Sequence, residues 1–274
     1  MKKRQKIIKW LTFFLVLVLL VSGALFFREW QTSRTEEESF HQLQQLVAPP
    51  APETLNTAPS LSSVEPEAVP EETSPSEEVD NHERFAPLIE RNEHFIGWLN
   101  VPGTRVDYPV MHTPDYPQYY MSRDFDRNRS NSGTPFLDAK CTLSDNNLLI
   151  YGHNMHTGTM FADLLNYNEA SFYKEHSTFS FETPEESAEY EIIAAFREVV
   201  HYKDEKDVFR YYNFGGELSE KLFNEYLTQI KAACAYEIEP TAQYGDKLIT
   251  LSTCSKHVEN GRFVVVGRKI VNET

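Results

Sequence analysis

The 274-residue sequence predicts a mainly β domain, a barrel or a sandwich with a few helices, carried behind a basic tail, a membrane helix and an extended spacer. Three observations predict it. Beyond residue 84 the apolar residues fall into short runs of strand length, without the regular strand–helix alternation of a doubly wound sheet. Residues 10–27 are eighteen positions without a charge, directly after five basic residues among the first nine. Between these regions, residues 36–83 hold twelve acidic residues and no Lys or Arg, with seven prolines from Pro49 to Pro75.

The N-terminal element is read first. At 1.5 Å per residue a helix over 7–27 spans about 30 Å, the thickness of a bilayer's hydrocarbon, and Trp10 and Trp30 suit its two edges. A cleaved signal peptide is the alternative, because Ser22, Gly23 and Ala24 resemble a small-residue cleavage site. Leu25, Phe26 and Phe27 continue the apolar run past them, which favours a retained anchor. Only Arg28 and Arg34 follow the run before the spacer, so the charge bias places the N-terminus in the cytoplasm and everything after Trp30 outside. Residues 1–30 are thus tail and membrane helix. Residues 31–83 are an acidic, Pro-rich stalk that cannot bury enough apolar area to fold, with weak helical character at 40–47. Residues 84–274 are one folded domain, still net −9 from 19 basic and 28 acidic residues.

Within that domain the spacing predicts a helix over 82–92 and strands over 95–99, 106–111, 134–137 and 147–151. The last is a continuous apolar run, the pattern of a strand covered on both faces. A short helix at 161–167 precedes strands at 177–182 and 189–201, the second long enough to curve round a barrel. Apolar residues at 218, 222, 223, 226, 227 and 230 mark a helix over 218–232, with Ser219 as its cap. Strands at 247–253 and 262–271 close the chain.

Composition narrows the function. A net charge of −15 offers no basic face for a phosphate backbone, so nucleic acid is excluded as a partner. Three cysteines do not make a disulfide scaffold, and none has zinc-ligand spacing. No metal, nucleotide or flavin signature is present, and no cofactor is expected.

The chemistry centres on Cys254, at the end of the strand 247–253. A thiol becomes a nucleophile only in an electropositive, partly exposed place. The loop that follows is short enough only for a hairpin-like return, which lays Arg262 beside Cys254 on the adjacent strand, about 5 Å away. Arg268, six residues on, is roughly 20 Å further along that strand and reads as a surface charge. For a general acid or base, His153 stands out among nine histidines because it ends the buried-type strand 147–151 through Gly152. His156 and His257 are its rivals, both within loops.

These residues carry a resemblance. The Thr250-Leu-Ser-Thr-Cys254 run, the Arg262-Phe-Val-Val-Val run, and Tyr151-Gly-His153-Asn154 with Gly158-Thr-Met-Phe161 resemble the marks of sortases, cysteine transpeptidases of Gram-positive cell surfaces. The helix 218–232, together with Gly97-Trp-Leu and Gly103-Thr-Arg-Val-Asp-Tyr-Pro-Val110, resembles class B. The match covers residues 84–271. It implies an eight-stranded β-barrel, a triad of His153, Cys254 and Arg262, and substrate-groove positions at Tyr151, Ser252 and Thr253. Met121, Val208 and Phe209 are carried over to the groove from the regions 112–121 and 200–215, where the resemblance is weakest.

The implied activity is that of a membrane-anchored transpeptidase. It would cleave a sorting signal near the C-terminus of secreted proteins and join the new carboxyl end to an amine of a peptidoglycan precursor or cross-bridge, or to a pilin lysine. A secreted cysteine protease, which gives the same thioester to water, is the enzyme alternative. An anchored surface-binding module with a structural Cys254 is the non-enzymatic one.

Overall fold

A computed structural model describes residues 2–48 and 81–271. Most of the expected stalk, 49–80, lies outside the described residues. Helix α1 runs over Lys2–Val47 and contains the expected membrane segment 10–27. Among the described residues no helix is long and apolar enough to cross a membrane, and the side chains at 11, 12, 25 and 26 are outside those described.

The end of α1 corrects the expected boundary of the stalk. Phe40, Leu43 and Val47, spaced i, i+3 and i+7, are buried in the same core as the domain. The Phe40 ring stands edge-on to Tyr108 at 5.2 Å, and Gln44 Nε2 donates to the Asp107 carbonyl at 3.0 Å. A 36–47 segment that sequence charge marks as spacer is therefore docked, because its three apolar residues share one helical face.

Helix α2 (Asn81–Arg91) leads into the barrel, whose strands are β1 (Phe95–Asn100), β2 (Asp107–Met111), β3 (Phe136–Leu137), β4 (Asn147–Tyr151), β5 (Thr178–Glu182), β6 (Ser187–Val199), β7 (Leu248–Cys254) and β8 (Gly261–Lys269). They close in the order β1-β2-β3-β4-β7-β8-β6-β5. The β2–β3 and β4–β7 pairs are parallel and the others antiparallel. The eight-stranded barrel is the architecture expected.

Closure depends on two local features. Strand β6 pairs with β8 from Tyr190↔Lys269 to Val199↔Gly261, with a register irregularity between Ile192 and Ala194 that lets so long a strand bend. At the β1–β5 seam a Cβ on Gly97 would lie 2.6 Å from the Glu182 carbonyl and 2.8 Å from the Phe181 ring, so only glycine permits that approach. Ile150 on β4, Ile249 and Leu251 on β7, and Val264 and Val266 on β8 are fully buried, each contributing about 1.5–3 kcal/mol before ordering entropy is counted.

Helix α3 (Ala170–Glu175) is an addition to the expected elements, and the expected helix at 161–167 is a 3-10 helix over Ala162–Asn168. Helix α4 (Glu220–Ala233) buries Phe223, Tyr226 and Ile230 on one face. Tyr226 shares a buried hydrogen bond with Thr250 Oγ1 (2.6 Å), which donates to Asn147 Oδ1 (3.0 Å) and ties the helix to β7 and β4. Ser219 stands at the N-cap, yet its hydroxyl makes no capping bond.

Candidate active site

Three neighbouring strands, β4, β7 and β8, end or begin at one rim of the barrel. In the parallel β4–β7 pair Tyr151 is the partner of Ser252, and Gly152 N donates to Ser252 O at 3.1 Å. His153 and Cys254 each lie two residues beyond that pair, so they leave the barrel side by side. Asn154 Nδ2 donates to the Cys254 carbonyl at 2.8 Å and ties the two ends together. In the antiparallel β7–β8 pair Cys254 is the partner of Arg262. The strand order therefore sets Cys254 between the imidazole and the guanidinium.

Cys254 is exposed, and His153 and Arg262 are half-buried. All three line a cavity of about 350 Å³. His153 Nε2 lies 2.7 Å from the Met121 carbonyl. A carbonyl oxygen only accepts, so Nε2 carries the hydrogen and Nδ1 is left to exchange protons. The Arg262 guanidinium donates through Nη1 to the carbonyls of Gly261 (2.9 Å) and Asn260 (3.3 Å), which steadies the group while leaving Nε and Nη2 available.

The walls carry hydrogen-bonding phenols and hydroxyls together with the charged Asp138 and Lys140. Tyr151 donates to Asp138 Oδ2 at 3.0 Å, and burial followed by the Asp138 charge pushes its phenol upward. Tyr211 shares a 2.8 Å hydrogen bond with Ser252 Oγ, and burial pushes its phenol up to about 12. Thr253 Oγ1 is buried in the wall with no protein partner.

Of the residues expected in the groove, Met121, Tyr151, Ser252 and Thr253 line the cavity. The lining includes neither Val208 nor Phe209. Phe209 instead packs among the rings of Phe196, Phe214 and Tyr226 at 5.9–6.2 Å, so an aromatic assigned to the groove is core. Sequence reasoning missed Asp138, Lys140, Tyr211 and Tyr212, all on the lining. The Asp138 signal was present in the sequence, directly after the strand pair Phe136–Leu137.

The rival histidines are held elsewhere. His156 contacts Lys256 Nζ, and His257 Nδ1 meets Ser255 Oγ at 2.9 Å; neither is on the lining. Arg268 pairs with Glu191 and, at 3.9 Å, with Asp246, at the far end of β8. Among the described residues no group of three or more His, Cys, Asp or Glu is arranged to hold a metal ion.

Comparison with known proteins places the chain in a family. A family model described as a sortase domain matches residues 99–270. Sortase B of Listeria monocytogenes serovar 1/2a is 33% identical over 188 residues, covering 67% of this chain and 72% of the relative. A solved structure of sortase B from Listeria monocytogenes aligns with a TM-score of 0.57 at 32% identity, over 67% of this chain and 99% of that one. A Staphylococcus aureus sortase B–substrate complex aligns with a TM-score of 0.66 over 89% of this chain and 100% of that one; at 21% identity it speaks for the fold alone.

Proposed function

The chain belongs to the sortase family, with class B sortases as its relatives, and from that premise we propose that it is a membrane-anchored cysteine transpeptidase acting on sorting signals outside the cell. The observation that carries the catalytic reading is the strand order β4-β7-β8, with Tyr151 opposite Ser252 and Cys254 opposite Arg262.

The Cys254 thiolate attacks the scissile carbonyl of a C-terminal sorting signal, and the carbonyl π electrons move to oxygen. Arg262, through Nε and Nη2, donates hydrogen bonds to that oxyanion or to the substrate backbone. As the tetrahedral intermediate collapses, the C–N bond breaks, and protonated His153 delivers the Nδ1 proton to the departing amine. The product is a thioester on Cys254. An amine of the cell wall, or a pilin lysine, then attacks the thioester carbon. His153 takes its proton, the C–S bond breaks, and Cys254 leaves as thiolate.

The unpartnered Thr253 hydroxyl and the Tyr151–Asp138 pair offer hydrogen bonds to a bound peptide. Anchoring rests on α1: Trp10 and residues 13–21 expose apolar side chains all round the helix, which suits hydrocarbon lipid and no aqueous surface. The basic residues before it orient the N-terminus to the cytoplasm and the barrel to the exterior.

The test is to incubate the chain with a small library of sorting peptides and amine acceptors and to read the products by mass spectrometry. A new amide between the peptide's carboxyl end and the acceptor is expected. Hydrolysis alone, at saturating acceptor, would make the chain a cysteine protease, and no cleavage at all would leave a binding module.

A further inference from the structure

The carbonyl that orients His153 is itself held by the segment that precedes β3 and, behind it, by α1. Met121 lies in the 3-10 turn Tyr119–Ser122. That turn is bound edge to edge by residues 130–134: Ser130 N donates to Ser122 O and Thr134 N to Tyr120 O, each at 3.0 Å, and Thr134 Oγ1 donates to Arg123 O at 3.0 Å. Gly133, at φ +60°, sits at the contact. A Cβ there would lie 2.6 Å from Tyr120 O and 2.8 Å from Met121 O, so the segment approaches the Met121 carbonyl as closely as bare backbone can.

The far side of the same segment is gripped by α1. Glu36 Oε1 accepts from Asn131 N at 3.0 Å and Oε2 from Ser132 Oγ at 2.5 Å. Ser130 Oγ accepts from Ser132 N (3.1 Å) and Gly133 N (3.0 Å), which makes the segment one compact turn between carboxylate and carbonyl. The residues linking the helix to His153 are thus consecutive contacts: Glu36, Ser132, Gly133, Met121, His153.

We propose that Glu36 is a positioning residue for His153, acting through residues 131–133 and the Met121 carbonyl. The proposal rests on the reading of His153 as the proton-transfer group. The physical reason is that a turn containing a glycine has much backbone freedom to lose, and a carboxylate accepting two hydrogen bonds across it supplies charge-assisted ties at its outer edge. With Phe40, Leu43 and Val47 buried beside it, docking of the juxtamembrane end of α1 becomes part of the catalytic apparatus rather than a tether alone.

The test compares the full chain in detergent micelles with its Glu36→Ala, Glu36→Gln and Ser132→Ala variants, each assayed well below its own Tm. For Glu36→Ala we expect kcat to fall about tenfold with KM unchanged, since a small misplacement far from the chemistry weakens alignment rather than binding. In ¹⁵N-histidine spectra the neutral His153 ring should lose its Nε2-protonated preference. Glu36→Gln, which keeps an acceptor for Asn131, should recover most of both, and Ser132→Ala, which removes only the hydroxyl, should shift both in the same sense but less. A lower Tm with wild-type kcat and an unaltered His153 signal would overturn the proposal, as would a fall in kcat with that signal unmoved. His153→Ala in the same assay separates the two readings: retained turnover there sinks the role of His153, whereas the spectral response to Glu36→Ala tests the coupling directly.

Discussion

Cys254 and Arg262 face each other as register partners across the antiparallel β7–β8 pair, with only residues 255–260 between the two strands. The cation is thus delivered to the thiol by backbone pairing and not by a flexible loop. Arg262 is a planar fork whose Nη1 is already committed to Gly261 and Asn260 carbonyls, while a lysine has one compact ammonium that cannot hold the loop and reach a substrate together. Arg262→Lys should lower kcat by about 10²–10³, the usual effect of removing an oxyanion donor, with an unchanged Tm. Near-normal turnover would assign the oxyanion to backbone amides.

The three thiols should separate cleanly by reactivity. Cys141 is buried, and burial pushes its thiol up to about 11; Cys234 is half-buried, its thiol raised by burial, and its Sγ lies 3.2 Å from the Ile230 carbonyl. Cys254 alone is exposed. Iodoacetamide at pH 8, followed by peptide mass mapping, should label Cys254 first. Cys254→Ala should remove both the label and any thioester while leaving the unfolding free energy within about 0.5 kcal/mol of wild type, as for most exposed positions. Faster labelling at Cys234 would contradict this placement.

An acid-sensitive clamp holds the loop that leaves His153. Arg105 donates to both oxygens of Asp163 through its side chain and to Oδ2 through its backbone N, and its Nη1 also donates to Thr157 O at 3.0 Å. Burial pushes the Asp163 carboxyl upward, but the Arg105 hydrogen bonds and charge outweigh it and hold the group below the ordinary carboxylate range. Its folded pKa is depressed, so its stabilising contribution is present above the unfolded carboxylate value of about 3.9 and is lost as pH falls through the folded value. Melting curves of wild type and Asp163→Asn should differ at pH 7, begin to converge only below about pH 4, and meet once the pH is below the depressed folded value. A difference that persists in strong acid would mean the carboxylate charge is not what the clamp uses.

Orientation across the membrane is open to a direct check. Protease added to intact cells stripped of their wall should release a fragment that begins within 49–80 and retains the barrel. Protection of the C-terminal domain would reverse the proposed topology.

Particular residues show how far the sequence could be read. The face Phe223, Tyr226 and Ile230 was legible because 3.6-residue spacing survives any choice of partner, and the Cys254–Arg262 pairing was legible because so short a loop permits only an adjacent return. The docked segment 36–47 was not, since its acidic composition reads as spacer while the three apolar residues that dock it need a surface to face. Phe209 misled for the complementary reason: an aromatic in a loop-like stretch suits a groove or a core equally, and only the rings of Phe196, Phe214 and Tyr226 decide between them.

The sequence by itself determined the β-rich class, the apolar and acidic blocks before the domain, and the strand-end positions of Cys254 and His153 with Arg262 on the adjacent strand, because periodicity, charge and loop length act over short stretches of chain. Only the tertiary structure decided that His153 and Cys254 emerge together, since parallel register between β4 and β7 joins residues about a hundred positions apart. It likewise decided that a backbone carbonyl, Met121 O, orients the histidine. Every residue but one carries such a carbonyl at all times, whatever its side chain, so no pattern of residue types marks the one that folding brings within 2.7 Å of an imidazole nitrogen.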